Sequence, residues 1–284
     1  MTSTRGWDAD AAARLLAPRI VQWRLTPAGD AFSTASSVLQ PVRFEGREAF
    51  LKVATVDEET AGGRVMVWWA GRGAAEVYAA DGDAVVIARA TGSRELARMA
   101  AASADGDDAA TRIICRAGLQ LHAIEDRPVP EGVVGLDVWF GELFAHAAEH
   151  PDAYDGFYAA AAGVARELLA DPAGSAVLHG DLHHGNVLDF GADGWLAIDP
   201  KHVVGDPGFD FANILCNPSA SVALAPGRFE RQLAVIGDET GIERDRMLRW
   251  AVAWTGLSSC WSERSGLDPE HALELGLRAR GLLG

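Results

Sequence analysis

Alternating apolar and polar residues in the first third of the chain predict strands joined by tight turns. The clearest case is 42–53, which reads VRFEGREAFLKV and places the turn residues Glu45-Gly46 between two extended arms. The second arm alternates with period two, so Lys52 lies on the strand face opposite Leu51 and Val53. This segment is therefore predicted to be a β-hairpin that presents a lysine on one face.

The spacing of apolar residues changes near residue 95, from the period of strands to the period of helices. Before this point we also expect a helix and two strands, at about 57–70, 76–79 and 84–88. After it we expect three helices, a strand–turn–strand region and a mainly helical remainder, at 109–124, 136–150, 154–169, 177–198 and 209–283. Ala90-Thr91-Gly92 is the predicted hinge. The pattern predicts an α+β protein with a strand-rich lobe, residues 1–90, and a larger helical lobe, residues 91–284, around a cleft.

The charge of the chain bears on its partners. Its 284 residues include 25 basic and 40 acidic side chains, a formal net charge of −15. This acidic surplus argues against a nucleic-acid partner and suits a cationic ligand, although acidic surfaces also serve solubility alone. Only two of the basic residues are lysines, Lys52 and Lys201, and both lie within motifs.

The chain carries no pattern of a secreted or membrane protein. No apolar stretch approaches the length of about 18 residues that a membrane helix needs, and residues 1–8 have no apolar signal core. The three cysteines are widely spaced and have no CxxC pair, which disfavours a disulfide framework. Neither they nor the adjacent His183 and His184 suggest a zinc site. We expect a soluble cytoplasmic protein, a monomer or weak dimer, with no membrane partner.

The strongest chemical signal is HGDLHHGN at 179–186, followed by WLAIDPK at 195–201. Phosphoryl transfer from a nucleotide needs a carboxylate that orients the acceptor hydroxyl, oxygen ligands for Mg²⁺ and a cation on the phosphates. Asp181 and Asn186 lie five residues apart in one predicted loop, so both side chains can face one pocket. Asp199 follows a short apolar run that is predicted to be a buried strand. These are the parts of the protein-kinase signature.

A second aspartate in this region competes for the role of metal ligand. Asp189-Phe190-Gly191 spells the DFG motif of protein kinases, but it begins only three residues after Asn186. The stretch DFGADG has the composition of a turn between two short strands. We interpret Asp189 as a solvated turn residue and Asp199 as the metal ligand.

HGDLHHGN, WLAIDPK and GDPGFDFAN (205–213) together resemble the aminoglycoside phosphotransferase superfamily, in the branch of streptomycin 6-phosphotransferases and hydroxyurea-type resistance kinases. The resemblance implies a bilobal protein-kinase-like fold with a small antiparallel β-sheet in the N-terminal lobe. It implies that Asp181 is the catalytic base or orients the acceptor hydroxyl, and that Asn186 and Asp199 bind Mg²⁺. Lys52 would hold the α- and β-phosphates of ATP.

The same resemblance implies supporting roles for further residues. His179 and Asp210 would brace the catalytic loop, although Asp210 also suits an ordinary helix N-terminus. The segment 32–37, FSTASS, stands where a phosphate-covering loop is expected but has no glycine, so GTP is an alternative to ATP. The carboxylate partner of Lys52 is expected on the following helix, at Glu59 or Glu58. The predicted nucleotide-binding residues are Lys52, Glu59, Ser33, Thr34 and Ser36.

The resemblance places the acceptor on the helical lobe, against acidic and aromatic side chains. The candidates are Asp206, Trp261, Glu263 and Glu270, with Trp250, Trp254, Asp137, Glu142 and Asp268 as alternatives. Trp250, Trp254 and Trp261 are spaced as one helical stripe, which favours a core position. Lys201 suits contact with phosphate or acceptor and equally a surface position.

The resemblance makes an ATP- and Mg²⁺-dependent O-phosphotransferase the leading hypothesis, one that inactivates a cationic antibiotic by phosphorylating a hydroxyl. The acceptor would be a streptomycin-like aminoglycoside or a guanidine-bearing cyclic peptide such as capreomycin or viomycin. The second hypothesis is a housekeeping kinase that acts on an amino alcohol, a sugar or a related metabolite. The third is an inactive nucleotide-binding module, which the joint presence of Asp181, Asn186, Asp199 and Lys52 disfavours.

Overall fold

The computed structural model describes residues 7–283, and its N-terminal lobe is built on one antiparallel sheet. The elements of this lobe are α1 (Ala9–Gln22), β1 (Thr26–Pro27), β2 (Phe32–Ser33), β3 (Ser37–Phe44), β4 (Arg47–Ala54), α2 (Asp57–Trp69), β5 (Val77–Asp81) and β6 (Ala84–Ala88). The strand order is β1-β3-β4-β6-β5, with β2 paired to β3. Residues 1–6, where no signal segment is expected, and residue 284 lie outside the described residues.

The predicted hairpin is confirmed as β3 and β4, with its turn at Glu45-Gly46. Both turn residues have positive φ, 50° and 83°, the backbone conformation that matches the twist of the two strands. Leu51 and Val53 of β4 are buried in one cluster with Leu16 of α1. Lys52 lies on the other face of the strand, because side chains alternate. The hairpin therefore presents Lys52 away from the α1 side of the sheet.

The C-terminal lobe is larger and mainly helical. Its elements are α3 (Leu96–Ala102), α4 (Ala104–His122), β7 (Val134–Gly135), α5 (Leu136–Trp139), α6 (Gly141–Glu149), α7 (Ala153–Ala170), β8 (Ala176–Leu178), β9 (Val187–Asp189), a 3₁₀ turn (Gly191–Asp193), β10 (Trp195–Ala197), β11 (Val203–Gly205), α8 (Gly208–Leu215), α9 (Ala220–Ala223), α10 (Arg228–Thr240), α11 (Arg244–Arg264) and α12 (Glu270–Leu283). The helix predicted over 136–150 is two helices, α5 and α6. None of the helices in 7–283 is long and apolar enough to cross a membrane.

The core of this lobe surrounds α11, which packs against α7, α8 and α12. Trp250 of α11 is fully buried, and its ring meets the edge of Phe209 with centroids 6.0 Å apart. Two short sheets cap this core on the side of the N-terminal lobe. One is the antiparallel hairpin β9–β10, and the other joins β8, β11 and β7. The two sheets carry the loops that contain the HGDLHHGN and WLAIDPK motifs.

The segment between the lobes is tied to the β9–β10 hairpin by Asp189. The Asp189 carboxylate accepts hydrogen bonds from Nε and Nη2 of Arg94 at 2.8 and 3.0 Å, and the Asp189 carbonyl accepts one from the backbone N–H of Gly92 at 2.8 Å. The arginine hydrogen bonds hold the pKa of Asp189 well below its usual range. The Asp189 side chain is only 4% exposed. The prediction that Asp189 is a solvated turn residue is therefore wrong, because Arg94 pairs with it.

Candidate active site

Two adjoining pockets lie along the cleft between the lobes. The first, of about 300 Å³, is called here the N-lobe pocket and is lined by Thr34, Ala35, Ser36, Leu39, Lys52, Glu59, Gly62, Gly63, Met66, Val85, Ile87, Asn186, Ile198, Asp199, Pro200 and Lys201. The second, of about 580 Å³, is called the C-lobe pocket and is lined by Glu58, Val138, Trp139, Glu142, Gly180, Asp181, His183, Lys201, Asn213, Asn217, Trp254, Ser258 and Trp261. The predicted catalytic and metal-binding residues thus divide between two pockets that meet at Lys201.

The loop that carries Asp181 is braced from beneath by buried polar groups. Asp210, at the start of α8, accepts hydrogen bonds from the backbone N–H groups of His179 and Gly180, both at 2.8 Å. The His179 ring lies 2.8 Å from the carbonyl oxygen of Ile198, next to Asp199. Burial lowers the pKa of His179, so its ring is neutral and bonds the loop to the following strand without adding charge. These contacts support the bracing role that the sequence assigns to His179 and Asp210.

Asp181 is held by side-chain amides from two directions. Its Oδ1 accepts a hydrogen bond from Asn213 at 2.9 Å, and its Oδ2 accepts one from Asn186 at 3.2 Å. His183 lies 3.6 Å from Oδ2. Burial raises the pKa of Asp181, but the interaction with His183 and nearby positive charge outweigh burial and leave this pKa below its ordinary value. Asp181 is therefore an ionised, oriented hydrogen-bond acceptor at neutral pH.

Lys52 contacts two carboxylates, one in its own lobe and one across the cleft. Its ammonium lies 2.5 Å from Oε2 of Glu59 on α2 and also contacts Oδ1 of Asp199. The alternative partner, Glu58, lies instead 3.4 Å from the ammonium of Lys201. Burial raises the pKa of Glu59, but the charge and hydrogen bond of Lys52 outweigh burial and lower it. The structure thus pairs Lys52 with Glu59, one of the two partners left open by the sequence.

Asn186 and Asp199 both line the N-lobe pocket and carry side-chain oxygen atoms. The amide nitrogen of Asn186 donates to the backbone carbonyl of Asp181 at 2.9 Å, which leaves the amide oxygen free as a ligand. Asp199 has a φ of 59°, a conformation that few residues other than glycine adopt and that occurs often at functional sites. An amide oxygen and a carboxylate are hard oxygen donors of the kind Mg²⁺ prefers. The residues present therefore fit a magnesium ion.

The serine- and threonine-rich segment before β3 contributes two of its three predicted residues to the N-lobe pocket. Thr34 and Ser36 line this pocket, and Ser36 Oγ donates to Glu59 at 3.0 Å. Ser33 lies on β2, exposed and outside the pocket. Ser37, which the sequence did not single out, also donates to Glu59, at 3.2 Å. The segment thus helps to orient Glu59.

Of the four predicted acceptor residues, the structure brings only Trp261 to the C-lobe pocket. Its ring meets the edge of Trp139 at a centroid distance of 5.8 Å. Trp254, about two turns earlier on α11, lines the same pocket and also packs in the core, whereas Trp250 belongs to the core alone. The alternative Glu142, at the start of α6, also lines it. The tryptophan stripe is therefore core at one end and pocket wall at the other.

The three other acceptor candidates lie outside both pockets. Asp206 is buried and accepts hydrogen bonds from Arg246 at 2.5 Å and from the backbone N–H of Ala173 at 2.7 Å, so it is a structural residue. Glu263 accepts hydrogen bonds from the hydroxyl of Tyr154 at 2.7 Å and lies 3.0 Å from Nε2 of His146. Glu270 is exposed at the start of α12.

Sequence reasoning also missed residues that the C-lobe pocket contains. Asn213 bonds directly to Asp181 and could have been found in the FDFAN motif, where it follows Asp210 by three residues. Trp139 had no distinguishing signal, because it lies in an ordinary amphipathic stretch. The pair His183-His184 draws attention in the sequence only as a possible zinc-binding pair. The proximity of His183 to Asp181 becomes visible only in the folded loop.

Comparison with known proteins gives the family context of this geometry. A family model described as aminoglycoside/hydroxyurea antibiotic resistance kinase matches residues 22–266. The chain is 46% identical to a streptomycin 3''-kinase from Klebsiella pneumoniae over 84% of this chain and 89% of that protein. It is 31% identical to a streptomycin 6-kinase from Streptomyces griseus, covering 93% and 86%, and 32% identical to a hydroxyurea phosphotransferase from Kitasatospora aureofaciens, covering 86% and 71%.

Solved structures share the fold at low sequence identity. A choline/ethanolamine kinase family protein from Mesorhizobium loti superposes with a TM-score of 0.63 at 18% identity, covering 96% of this chain and 94% of that one. An aminoglycoside phosphotransferase APH(4)-Ia in complex with ADP and hygromycin B superposes with a TM-score of 0.62 at 14% identity, covering 94% and 97%. The fold is therefore the predicted bilobal, kinase-like α+β fold.

Proposed function

Because the chain belongs to the aminoglycoside/hydroxyurea antibiotic resistance kinase family and is a phosphotransferase, we propose that it inactivates a streptomycin-class aminoglycoside by moving the γ-phosphate of ATP to one of its hydroxyls. The observation that carries this proposal is the meeting of Asp181, Asn186, Asp199 and Lys52 where the N-lobe and C-lobe pockets join. This set supplies the carboxylate, metal ligands and phosphate cation that phosphoryl transfer needs.

The N-lobe pocket suits ATP. Its apolar wall, formed by Leu39, Met66, Val85 and Ile87, fits a nucleotide base, and Lys52, which lines the same pocket, would hold the phosphates. Asn186 and Asp199 would hold Mg²⁺, which neutralises phosphate charge when bound. Two solved relatives of the fold are complexes with ADP or AMP, which supports the choice of an adenine nucleotide.

The C-lobe pocket suits a cationic acceptor with several hydroxyls. Carboxylates of Glu58, Glu142 and Asp181 line it together with the rings of Trp139, Trp254 and Trp261. Carboxylates attract guanidinium groups, and tryptophan faces bind cations. The names of the relatives at 46% and 31% identity support streptomycin as the acceptor.

Transfer in this site would be a direct displacement between two oriented reactants. The acceptor hydroxyl donates a hydrogen bond to Asp181, its oxygen forms a bond to the γ-phosphorus, and the bond from that phosphorus to the bridging oxygen of ADP breaks. Asp181 takes the hydroxyl proton. Asn213 and Asn186 keep the carboxylate in position, since each donates to one of its oxygens.

The test is ATP consumption by the purified protein with Mg²⁺ across streptomycin, kanamycin, capreomycin, viomycin, hydroxyurea and choline. We expect turnover with streptomycin and a product heavier by one phosphoryl group, with Asp181→Asn as the inactive control. NMR of the product identifies the modified hydroxyl, for which the names of the two streptomycin-kinase relatives differ. Turnover confined to capreomycin, viomycin or choline, or to none of the six, would contradict the proposal.

A cytoplasmic location and a monomeric or weakly dimeric state also stay predictions. Cell fractionation tests the first, and light scattering coupled to size-exclusion chromatography tests the second. A GTP titration beside ATP tests the nucleotide preference that the glycine-free segment 32–37 leaves open.

A further inference from the structure

Lys201 occupies a position that the proposed function does not yet use. Among the residues that line the two pockets, it is the only one that borders both. It is also one of two lysines in a chain that otherwise carries arginine at every basic position, and the other, Lys52, lies in the same cleft. A cation at the junction of a nucleotide pocket and an acceptor pocket is placed where a transferred group must pass.

The backbone around Lys201 is held on two sides. Its N–H donates to the carbonyl of His179 in the catalytic loop at 2.7 Å. Gly180 has a φ of 78°, and a Cβ added there would lie 2.7 Å from the Cβ of Lys201. On the other side, Gly62 of α2 approaches the carbonyl of Pro200 so closely that no side chain fits between them. The position of Lys201 is thus set by the catalytic loop and by α2 together.

The ammonium of Lys201 lies between two carboxylates of α2. It lies 3.4 Å from Glu58 and 3.6 Å from Glu59, and its side chain is 23% exposed. No single carboxylate holds this ammonium at hydrogen-bond distance. A flexible, charged side chain in this arrangement can turn toward a phosphate.

Resting on the proposed function, we propose that Lys201 is a further catalytic residue that contacts the γ-phosphoryl group during its transfer from ATP to the acceptor. Its ammonium stabilises the charge on the phosphoryl oxygens while the bond from phosphorus to ADP breaks and the bond to the acceptor oxygen forms. Lys52 holds the phosphates that remain on ADP, and Lys201 holds the one that leaves. The two lysines therefore act on opposite sides of the breaking bond.

Lys201→Met separates this role from nucleotide and acceptor binding. We expect kcat with streptomycin to fall about a hundredfold, as when one donor to transition-state charge is lost. The affinity for ADP and the KM for streptomycin should stay unchanged, since neither involves the transferred group. Lys201→Arg keeps the charge and should recover part of the lost kcat. Arg98→Met, which removes an exposed cation paired with Glu95 on the surface, is the matched control for charge loss.

Each other result has a definite meaning. A raised KM for streptomycin with unchanged kcat would place Lys201 on the acceptor and overturn the proposal, as would weaker ADP binding or a lower melting temperature together with lost activity. An unchanged kcat would overturn it directly. If the wild-type protein turns over no acceptor while Lys201→Met keeps the wild-type affinity for ADP, the proposed function fails and with it the premise of the catalytic role.

A second, independent inference concerns a cluster of histidine and glutamate side chains. It lies at the opposite end of α6 from Glu142, which lines the C-lobe pocket. His146, Glu149 and His150 each place one ligand atom within 4.8 Å of the others, the one such cluster of three within residues 7–283. The spacing i, i+3 and i+4 brings these side chains to one helix face. They lie at the C-terminal end of α6, where the helix dipole favours a cation.

A neighbouring carboxylate orients the His146 ring for metal binding. Its Nε2 lies 3.0 Å from Glu263, which also accepts a hydrogen bond from Tyr154. A carboxylate behind a histidine fixes its tautomer and orients the ring toward a metal. We infer that these three residues form a site for a divalent transition metal such as Zn²⁺, with two nitrogen ligands, one carboxylate and an open position.

Calorimetric titration of metal-free protein with Zn²⁺ tests this site without reference to activity. We expect one ion per chain, with affinity at least about tenfold weaker in His150→Ala and in Glu149→Gln. Glu274→Gln, which changes an exposed carboxylate on α12, is the control and should bind as the wild-type protein does. Binding that His150→Ala leaves unchanged, or no binding by the wild-type protein, would overturn the inference.

Discussion

The two ends of the β9–β10 hairpin carry aspartates that differ in their partners and in their exposure to solvent. Asp189 ends β9 and points toward the segment between the lobes, where Arg94 and two backbone N–H groups donate to its carboxylate. Asp199 follows β10, faces the N-lobe pocket and contacts only the ammonium of Lys52 among the described side chains. Its side chain is 42% exposed against 4% for Asp189.

Asp189 is paired with an arginine and Asp199 with a lysine. This difference explains why only the Asp199 carboxylate is available to bind a metal ion. An arginine binds a carboxylate through two parallel hydrogen bonds and occupies both oxygens. A lysine is a single point charge, which leaves oxygen lone pairs free for a metal ion. Asp189 is thus a structural anchor despite standing in a DFG sequence, and Asp199 keeps the freedom that a metal ligand needs.

The largest expected effect comes from Asp199→Asn, which removes a ligand charge in the N-lobe pocket. We expect kcat for streptomycin phosphorylation to fall by about a thousandfold, because phosphate charge is no longer neutralised. Calorimetry with ADP should show that Mg²⁺ no longer strengthens nucleotide binding. If Asp189→Asn abolished Mg²⁺-dependent binding and Asp199→Asn did not, the roles of the two aspartates would be reversed.

Asp181→Asn is expected to have the next largest effect. Loss of the group that accepts the hydroxyl proton should lower kcat at least about a hundredfold. ADP affinity should be unchanged, since Asp181 lines the C-lobe pocket and not the N-lobe pocket. Steady-state kinetics and ADP titration measure the two quantities. Weaker ADP binding in this variant would mean that the two pockets are not separable.

Asp189→Asn should act on stability instead of catalysis. Arg94 loses its charged partner, so we expect a lower melting temperature with kcat close to wild type at low temperature. Asp193→Asn, an exposed carboxylate in the 3₁₀ turn of the same hairpin, is the matched control and should leave the melting temperature unchanged. Equal melting temperatures for wild type and Asp189→Asn would show that the anchor contributes nothing.

The smallest expected effect is a pH dependence of the stability that the Asp189–Arg94 ion pair contributes. The pKa of Asp189 is depressed in the folded protein, so its contribution is complete above the ordinary aspartate pKa of about 3.9 and is lost as pH falls below it. The difference in melting temperature between wild type and Asp189→Asn should be constant near neutral pH and shrink in acid. A difference that grows on acidification would contradict the depressed pKa.

Much of the fold could be predicted from local pattern. The turn at Glu45-Gly46 and the outward face of Lys52 follow from alternation within a few residues, and the structure has both. The helix predicted over 136–150 was wrong in continuity, because α5 ends at Trp139 and α6 begins at Gly141. The spacing of apolar residues indicates which side chains face the core. It does not reveal a break between two consecutive helices that both pack against the same core.

The acceptor site was predicted less well than the catalytic loop. Asp206 was a candidate because of its charge, but Arg246, forty residues away, pairs with it in the fold. The stripe of Trp250, Trp254 and Trp261 divides between core and pocket because α11 passes from the centre of the lobe to the cleft. The residue type alone does not indicate which end of a helix is buried in the core and which end faces a pocket.

Neighbouring residues and motif spacing are enough to predict the hairpin, the helical lobe, the family, and the place of Asp181 and Asn186 in one loop. Which carboxylates are already paired depends on the folded chain. Arg94 meets Asp189 across 95 residues, and Lys52 meets Asp199 across 147. Ion pairs depend on distance in space, which spacing along the chain does not specify, so the availability of each charge is a property of the fold.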